Sequence, residues 1–113
     1  MIANAEQLKA EINAEIAANP ITIYSKGTAE APRCGFTLET INFFKNYNVP
    51  FVMIDVLENM EKRQVLSEMT DWPTLPKVFI NGKFYGDTDV LAPMAENGEL
   101  QKVLAEAFPK ATA

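Results

Sequence analysis

Asn81-Gly82 stands between the runs Val78-Phe79-Ile80 and Lys83-Phe84-Tyr85, and no other short signal in the chain constrains its fold as strongly. Asparagine and glycine accept the positive φ angles of a tight reverse turn, so strands separated by this pair fold back as an antiparallel hairpin. The first half of the chain makes a different demand. Ile21-Thr22-Ile23-Tyr24 reads as a short buried strand. Phe36, Ile41 and Phe44 then repeat with helical periodicity up to Asn46 or Asn48, and Pro50 introduces a second strand, Phe51 to Asp55. Strand, helix, strand is a βαβ unit, which implies a parallel pair and a right-handed crossover. A sheet holding both the parallel pair and the hairpin must be mixed.

Three further helical stretches surround these strands. Leu8, Ile12 and Ile16 mark an amphipathic first helix, with Asn4 and Gln7 placed as an N-cap pair and Asn19-Pro20 as its stop. Residues 59 to 69 read as a helix with Met60, Val65, Leu66 and Met69 facing inward, and Asp71-Trp72-Pro73-Thr74-Leu75-Pro76 breaks that pattern. A last helical region covers residues 89 to 108, interrupted near Asn97-Gly98, with Leu100, Val103, Leu104 and Phe108 as its core stripe. The order α-β-α-β-α-β-β-α describes an α/β protein: a four-stranded mixed sheet flanked by helices on both faces, which fits the thioredoxin-type fold. No repeat or linker divides the chain, so one domain is expected, with residues 1–18 as an amino-terminal helix and 19–108 as the core.

Composition narrows the chemistry. A chain of 113 residues with 48% hydrophobic content can bury a core without covalent staples, and its single cysteine permits no internal disulfide. Fifteen acidic against ten basic residues give a formal charge of −5, which argues against a nucleic-acid partner. No apolar run approaches the ~20 residues needed to span a bilayer. Glu6, Glu11 and Glu15 lie where a targeting signal would be basic, so a cytoplasmic protein is expected. Histidine is absent, which removes Ser/His, Cys/His and histidine–metal chemistry. What remains is thiol, carboxylate, ammonium or borrowed groups.

The thiol is Cys34, between an apolar run and an amphipathic one. A cysteine in the first turn of a helix meets unpaired N–H groups and the positive end of the helix dipole, both of which favour thiolate. Lys26 and Arg33 are expected to add positive charge, and the pKa of Cys34 is expected to fall below that of a free thiol.

Lys26-Gly27-Thr28, Pro32, Cys34-Gly35-Phe36-Thr37, Asp71-Trp72-Pro73-Thr74-Leu75-Pro76, Asn81-Gly82 and Gly86-Asp87-Thr88-Asp89 together closely resemble the monothiol glutaredoxins, whose signature is Cys-Gly-Phe-Ser. The resemblance runs from Asn19 to Phe108. It implies a glutathione-binding protein in which Cys34 ligates one iron of a subunit-bridging 2Fe-2S cluster or attacks a glutathione mixed disulfide. Lys26 and Arg63 would pair with the glycyl carboxylate of glutathione, and Leu75 would bond the tripeptide backbone as if extending a sheet. Pro76 would follow a cis peptide bond facing the cysteine. The Thr88 N–H would meet the γ-glutamyl carboxylate and Asp89 the neighbouring ammonium, while Phe36 is placed either at the ligand or in the core. Trp72 is expected to pack under the loop.

One cysteine per chain makes the expected assembly a homodimer around the cluster, its remaining sulfurs coming from two glutathiones. By family analogy its partners would be BolA-type proteins and apo iron–sulfur clients, and its role cluster carriage or iron and redox sensing rather than enzymatic turnover. A weak glutathione-dependent disulfide oxidoreductase acting through Cys34 is the first alternative. The second is an interaction module whose ligand site has decayed. Three departures from the family pattern bear on the choice. Thr37 replaces the signature serine, Ala29 stands where proline is usual and should loosen the loop, and Asp87 replaces the second glycine of a Gly-Gly pair. Asp87 is expected to repel a glutamyl carboxylate and lower ligand affinity.

Overall fold

A computed structural model describes residues 4–109. Its elements follow the order α1 (Ala5–Ala18), β1 (Ile21–Ser25), α2 (Gly35–Lys45), β2 (Val52–Asp55), α3 (Met60–Thr70), β3 (Lys77–Ile80), β4 (Lys83–Gly86), α4 (Thr88–Asn97) and α5 (Glu99–Ala107). The strands form one mixed sheet in the order β2-β1-β3-β4. β1 runs parallel to β2 and antiparallel to β3, so that Ile23 lies opposite Met53 on one side and Val78 on the other. Asn81 and Gly82 close the β3–β4 hairpin at φ of 53° and 81°. Both angles are positive, as the turn that matches strand twist requires.

Alternation along the two central strands sends side chains to opposite layers. Ile21, Ile23, Val78 and Ile80 pack with Phe44 of α2, Leu91 of α4 and Leu100 and Leu104 of α5. Tyr24 and Phe79 pack with Ile12 of α1 and Val65 and Leu66 of α3, their rings edge to face at 5.8 Å between centroids. Helices therefore cover both faces, as the element order implies. The last helical region is two helices, because Gly98 at φ 88° ends α4 in the left-handed conformation and α5 starts immediately after it.

Two details differ from the sequence reading. Met60 is 64% exposed rather than inward. The buried face of α3 is set by Lys62, Val65, Leu66 and the partly buried Met69, and Met60 lies more than half a turn before Lys62. At the start of α1, Asn4 donates no side-chain cap; its carbonyl accepts from the Leu8 N–H at 2.9 Å.

What binds α1 to the domain is partly polar. Lys62, only 5% exposed, reaches Glu15 at 2.9 Å and Glu11 at 3.5 Å, while the Tyr24 hydroxyl donates to the other Glu15 oxygen at 2.6 Å. Burial and the Glu15 carboxylate push the Tyr24 phenol far above its ordinary pKa, so it stays a donor throughout the stable pH range. Glu15→Ala leaves the Tyr24 hydroxyl without its acceptor and the Lys62 ammonium with Glu11 alone, and should lower stability by about 2–3 kcal/mol in chemical denaturation. Lys62→Met, which removes the buried charge while keeping an apolar stem of similar length, should cost less than half as much.

Candidate functional site

The carboxyl end of β1 feeds a loop that turns the chain into α2, and this loop presents the cysteine. Gly27, at φ 93°, brings its backbone against Ala31 and Arg33; a Cβ there would lie 2.4 Å from the Ala31 carbonyl oxygen. Asp55 Oδ1 accepts from the Gly27 and Leu57 N–H groups, both at 2.9 Å, and these bonds hold its carboxyl below the usual carboxylate range. Thr28 and Ala31 exchange backbone hydrogen bonds at 3.1 and 3.2 Å, and the Arg33 N–H donates to the Lys26 carbonyl at 2.8 Å. Ala29 thus sits in a loop tied by backbone hydrogen bonds on both sides of it.

Cys34 is the N-cap of α2, in extended conformation, with its sulfur accepting from the Thr37 N–H at 3.4 Å. The Thr37 hydroxyl lies 3.3 Å from the same sulfur and accepts from the Lys26 N–H at 3.3 Å. That hydroxyl is fully buried, so the threonine's rotamer preserves the contact a serine would make. Burial alone would push the thiol up, yet its pKa lies below the ordinary value. Hydrogen bonds from the Thr37 side chain, the Thr37 N–H and the Phe36 N–H, with the charge of Lys26, outweigh that effect. Arg33, expected to help, is not among the groups that lower the thiol's pKa; its charge acts on Asp55 instead.

Lys26 and Phe36, which flank the thiol loop, open onto a pocket of about 380 Å³ lined also by Arg63, Leu75, Pro76, Thr88 and Asp89, together with Pro73, Thr74 and Asp87; Cys34 itself is not part of this lining. Every residue that the sequence nominated for ligand binding is in this wall. The sheet order explains the distribution of charge: Lys26 follows β1, the segment through Leu75 and Pro76 enters β3, and Asp87 to Asp89 follow the edge strand β4. Lys26 therefore stands on the β1 side and the carboxylates on the β4 side, while Arg63 reaches the pocket from α3. Between them the Leu75–Pro76 peptide is cis, and neither the N–H nor the C=O of Leu75 finds a hydrogen-bond partner among the described residues. Phe36 is 68% exposed and belongs to the pocket rather than the core. Arg63 donates to the Leu57 carbonyl at 3.0 Å, which steadies its guanidinium at the rim.

At the acidic end the positive φ falls on Gly86, at 82°, while Asp87 is extended at φ −136°. Asp87 is therefore unstrained, and it caps α4 by accepting from the Asp89 N–H at 3.0 Å. Asp89 is left free of the capping role.

Sequence reasoning missed three supporting side chains. Lys77 is 1% exposed and donates to the carbonyls of Trp72 and Thr74, the latter at 2.7 Å, which pins the loop that carries Leu75. Burial and the nearby Arg63 charge push its pKa down to about 8. Glu39 accepts from the Thr88 hydroxyl at 2.6 Å, bridging α2 and α4 across the site. Asp55 organises the loop as described. Of the three, only Lys77 carried a signal: a lysine alternating with Phe79 into a buried sheet face.

Because Thr37 contributes more than Lys26, Thr37→Val should raise the Cys34 pKa more than Lys26→Ala does, and both should raise it. Thiolate absorbance titrated against pH reads the order. The folded chain binds fewer protons at this thiol than the unfolded chain, so its contribution to stability is full above the unfolded pKa and is lost as pH falls through the folded one.

Comparison with known proteins agrees with this geometry. The glutaredoxin family model matches residues 21–85. The chain is 38% identical over 102 residues to a monothiol glutaredoxin of Synechocystis sp., covering 90% of this chain and 95% of that protein. Among solved structures, reduced poplar apo glutaredoxin superposes with a TM-score of 0.82 at 32% identity, covering 93% of this chain and 97% of the other. A buckwheat glutaredoxin–glutathione complex superposes at 0.83 and 21% identity, covering 95% and 96%, and shares the fold. With its one cysteine at the head of α2, this chain belongs to the monothiol glutaredoxin family.

Proposed function

We propose that the pocket binds glutathione and that two copies of the chain, with two glutathiones, hold a 2Fe-2S cluster for carriage or for iron and redox sensing. The observation that carries this reading is the order of groups in one wall: cations at Lys26 and Arg63, the unpartnered Leu75 peptide, then Thr88 and Asp89, with a thiolate-favouring Cys34 at the side. A tripeptide with a carboxylate at one end and an ammonium at the other complements it. Lys26 and Arg63 attract the carboxylate, Leu75 pairs with the ligand backbone as an added strand would, and Asp89 accepts from the ammonium. The buckwheat protein, of the same fold, forms a complex with glutathione.

The residues present fit a shared cluster. Among the described residues no group of three or more His, Cys, Asp or Glu side chains could hold a metal, and the chain's one thiolate is partly exposed. A thiolate-ligated cluster therefore requires a second Cys34 and sulfur from elsewhere, which bound glutathione supplies. When present, the cluster provides iron for transfer or for one-electron chemistry. The chain's own part is to favour the thiolate form of Cys34 and to hold the donor tripeptide near it.

Anaerobic reconstitution with iron, sulfide and glutathione, followed by sizing and visible spectroscopy, tests this reading. A coloured dimer that forms only with glutathione, and not with Cys34→Ser, is expected. A coloured monomer, or a cluster formed equally well without added thiol, would refute the borrowed-ligand assembly.

The lowered thiol pKa favours a second reading, deglutathionylation. Cys34 thiolate attacks the glutathione sulfur of a mixed disulfide, the S–S bond breaks and the client leaves as thiolate. A second glutathione thiolate then attacks the glutathione sulfur on Cys34, releasing glutathione disulfide. With no second cysteine in the chain, the rate should rise with glutathione concentration and show no saturation by an internal step. A coupled glutathione assay measures it.

A further inference from the structure

The α4 end of the pocket carries two carboxylates in different situations. Asp87 Oδ1 accepts from the Asp89 N–H at 3.0 Å, and its carbonyl accepts from the Val90 and Leu91 N–H groups, both at 3.1 Å. The Thr88 N–H is then the one early donor of α4 without a hydrogen bond among the described residues. Thr88 itself is 8% exposed, and its hydroxyl is engaged by Glu39. A helix amino terminus ordinarily recruits an external anion through its N–H groups and its dipole. Here a carboxylate of the chain already fills that role, and it does so inside the pocket wall. Asp89 lines the same wall, is exposed, and its side chain accepts no hydrogen bond among the described residues.

We propose that Asp87 determines ligand specificity: it occupies the anion position at the head of α4 and, with Asp89, makes that end of the pocket a receptor for an ammonium group with no carboxylate beside it. The preferred ligands are then small peptide-like thiols that end in a simple amine on the β4 side and a carboxylate on the Lys26 and Arg63 side. The inference rests on the pocket being the thiol-peptide site proposed above. An α-amino acid end carries ammonium and carboxylate on one carbon, so whichever way it settles, its carboxylate meets one N–H donor and a like charge. A carboxylate stripped of water against a single donor is poorly compensated. A simple amine keeps both attractions and brings no carboxylate.

Three side chains at position 87 separate the contributions. Asparagine caps a helix as well as aspartate but carries no charge, and glycine costs an N-cap only a few tenths of a kcal/mol while emptying the position. The extended backbone at 87 accepts all three.

Calorimetry would compare reduced glutathione with 4-aminobutyryl-cysteinylglycine, which keeps the amine, thiol and glycyl carboxylate and lacks the glutamyl α-carboxylate. The native chain should bind the analogue at least as tightly as glutathione. Asp87→Asn should bind glutathione about fivefold tighter and Asp87→Gly tighter still, while neither gains affinity for the analogue. A native chain that prefers glutathione, or substitutions that shift both ligands by the same factor, would overturn the role given to Asp87. Equal glutathione binding by all three proteins would remove that role and leave the pocket reading standing. Absence of binding by either ligand to any of the three would remove both.

Discussion

Complete burial of β1 between a parallel and an antiparallel neighbour is the constraint on which the rest of the molecule depends. All five of its residues are buried, Ile21 and Ile23 belong to one core and Tyr24 to the other, and no other strand is paired to neighbours running in both directions. Since both faces and both edges of this strand are committed, the place where it ends is fixed. Ser25 and Lys26 emerge there, and the thiol loop, Lys26 and the Asp55 clasp inherit that position. The thiol loop is thus as well located as the centre of the sheet, although it is itself a loop.

The electrostatics of Cys34 show how a modest shift is assembled. Partial burial opposes ionisation, and no single neighbour overcomes it. A hydroxyl, two backbone N–H groups and one lysine act together, and three of the four belong to the first turn of α2. Hydrogen bonds to the sulfur follow from helix geometry once the cysteine is the N-cap, so the chemistry needs little beyond the correct start of one helix. Threonine serves where the family signature has serine because its methyl has a buried place in the core.

How far the sequence revealed this depended on the range of each interaction. The Asn81-Gly82 hairpin was legible because its cause is local steric freedom, and so was Gly98 as a break. The pocket wall was legible through the motifs from Lys26 to Asp89, each short and each carrying its own backbone signal. Met60 misled because a helix's buried face has a phase that its first turn does not reveal. Lys77 and Glu39 stayed hidden for another reason: their partners are chosen by packing, and Glu39 meets Thr88 from 49 positions away. Asp87 was read as a departure that disturbs a ligand, whereas its extended backbone makes it first a cap, which only the φ of its neighbour Gly86 discloses.

The Glu39–Thr88 hydrogen bond gives the site a property beyond charge. It joins α2, whose head bears the thiol, to α4, whose head bears the acids, through one short side-chain contact of 2.6 Å. The two helices are tied together across the site, with the sulfur at the head of one and Asp87 and Asp89 at the head of the other. Any molecule that touches both heads has to match the span this tie sets, whatever its charge.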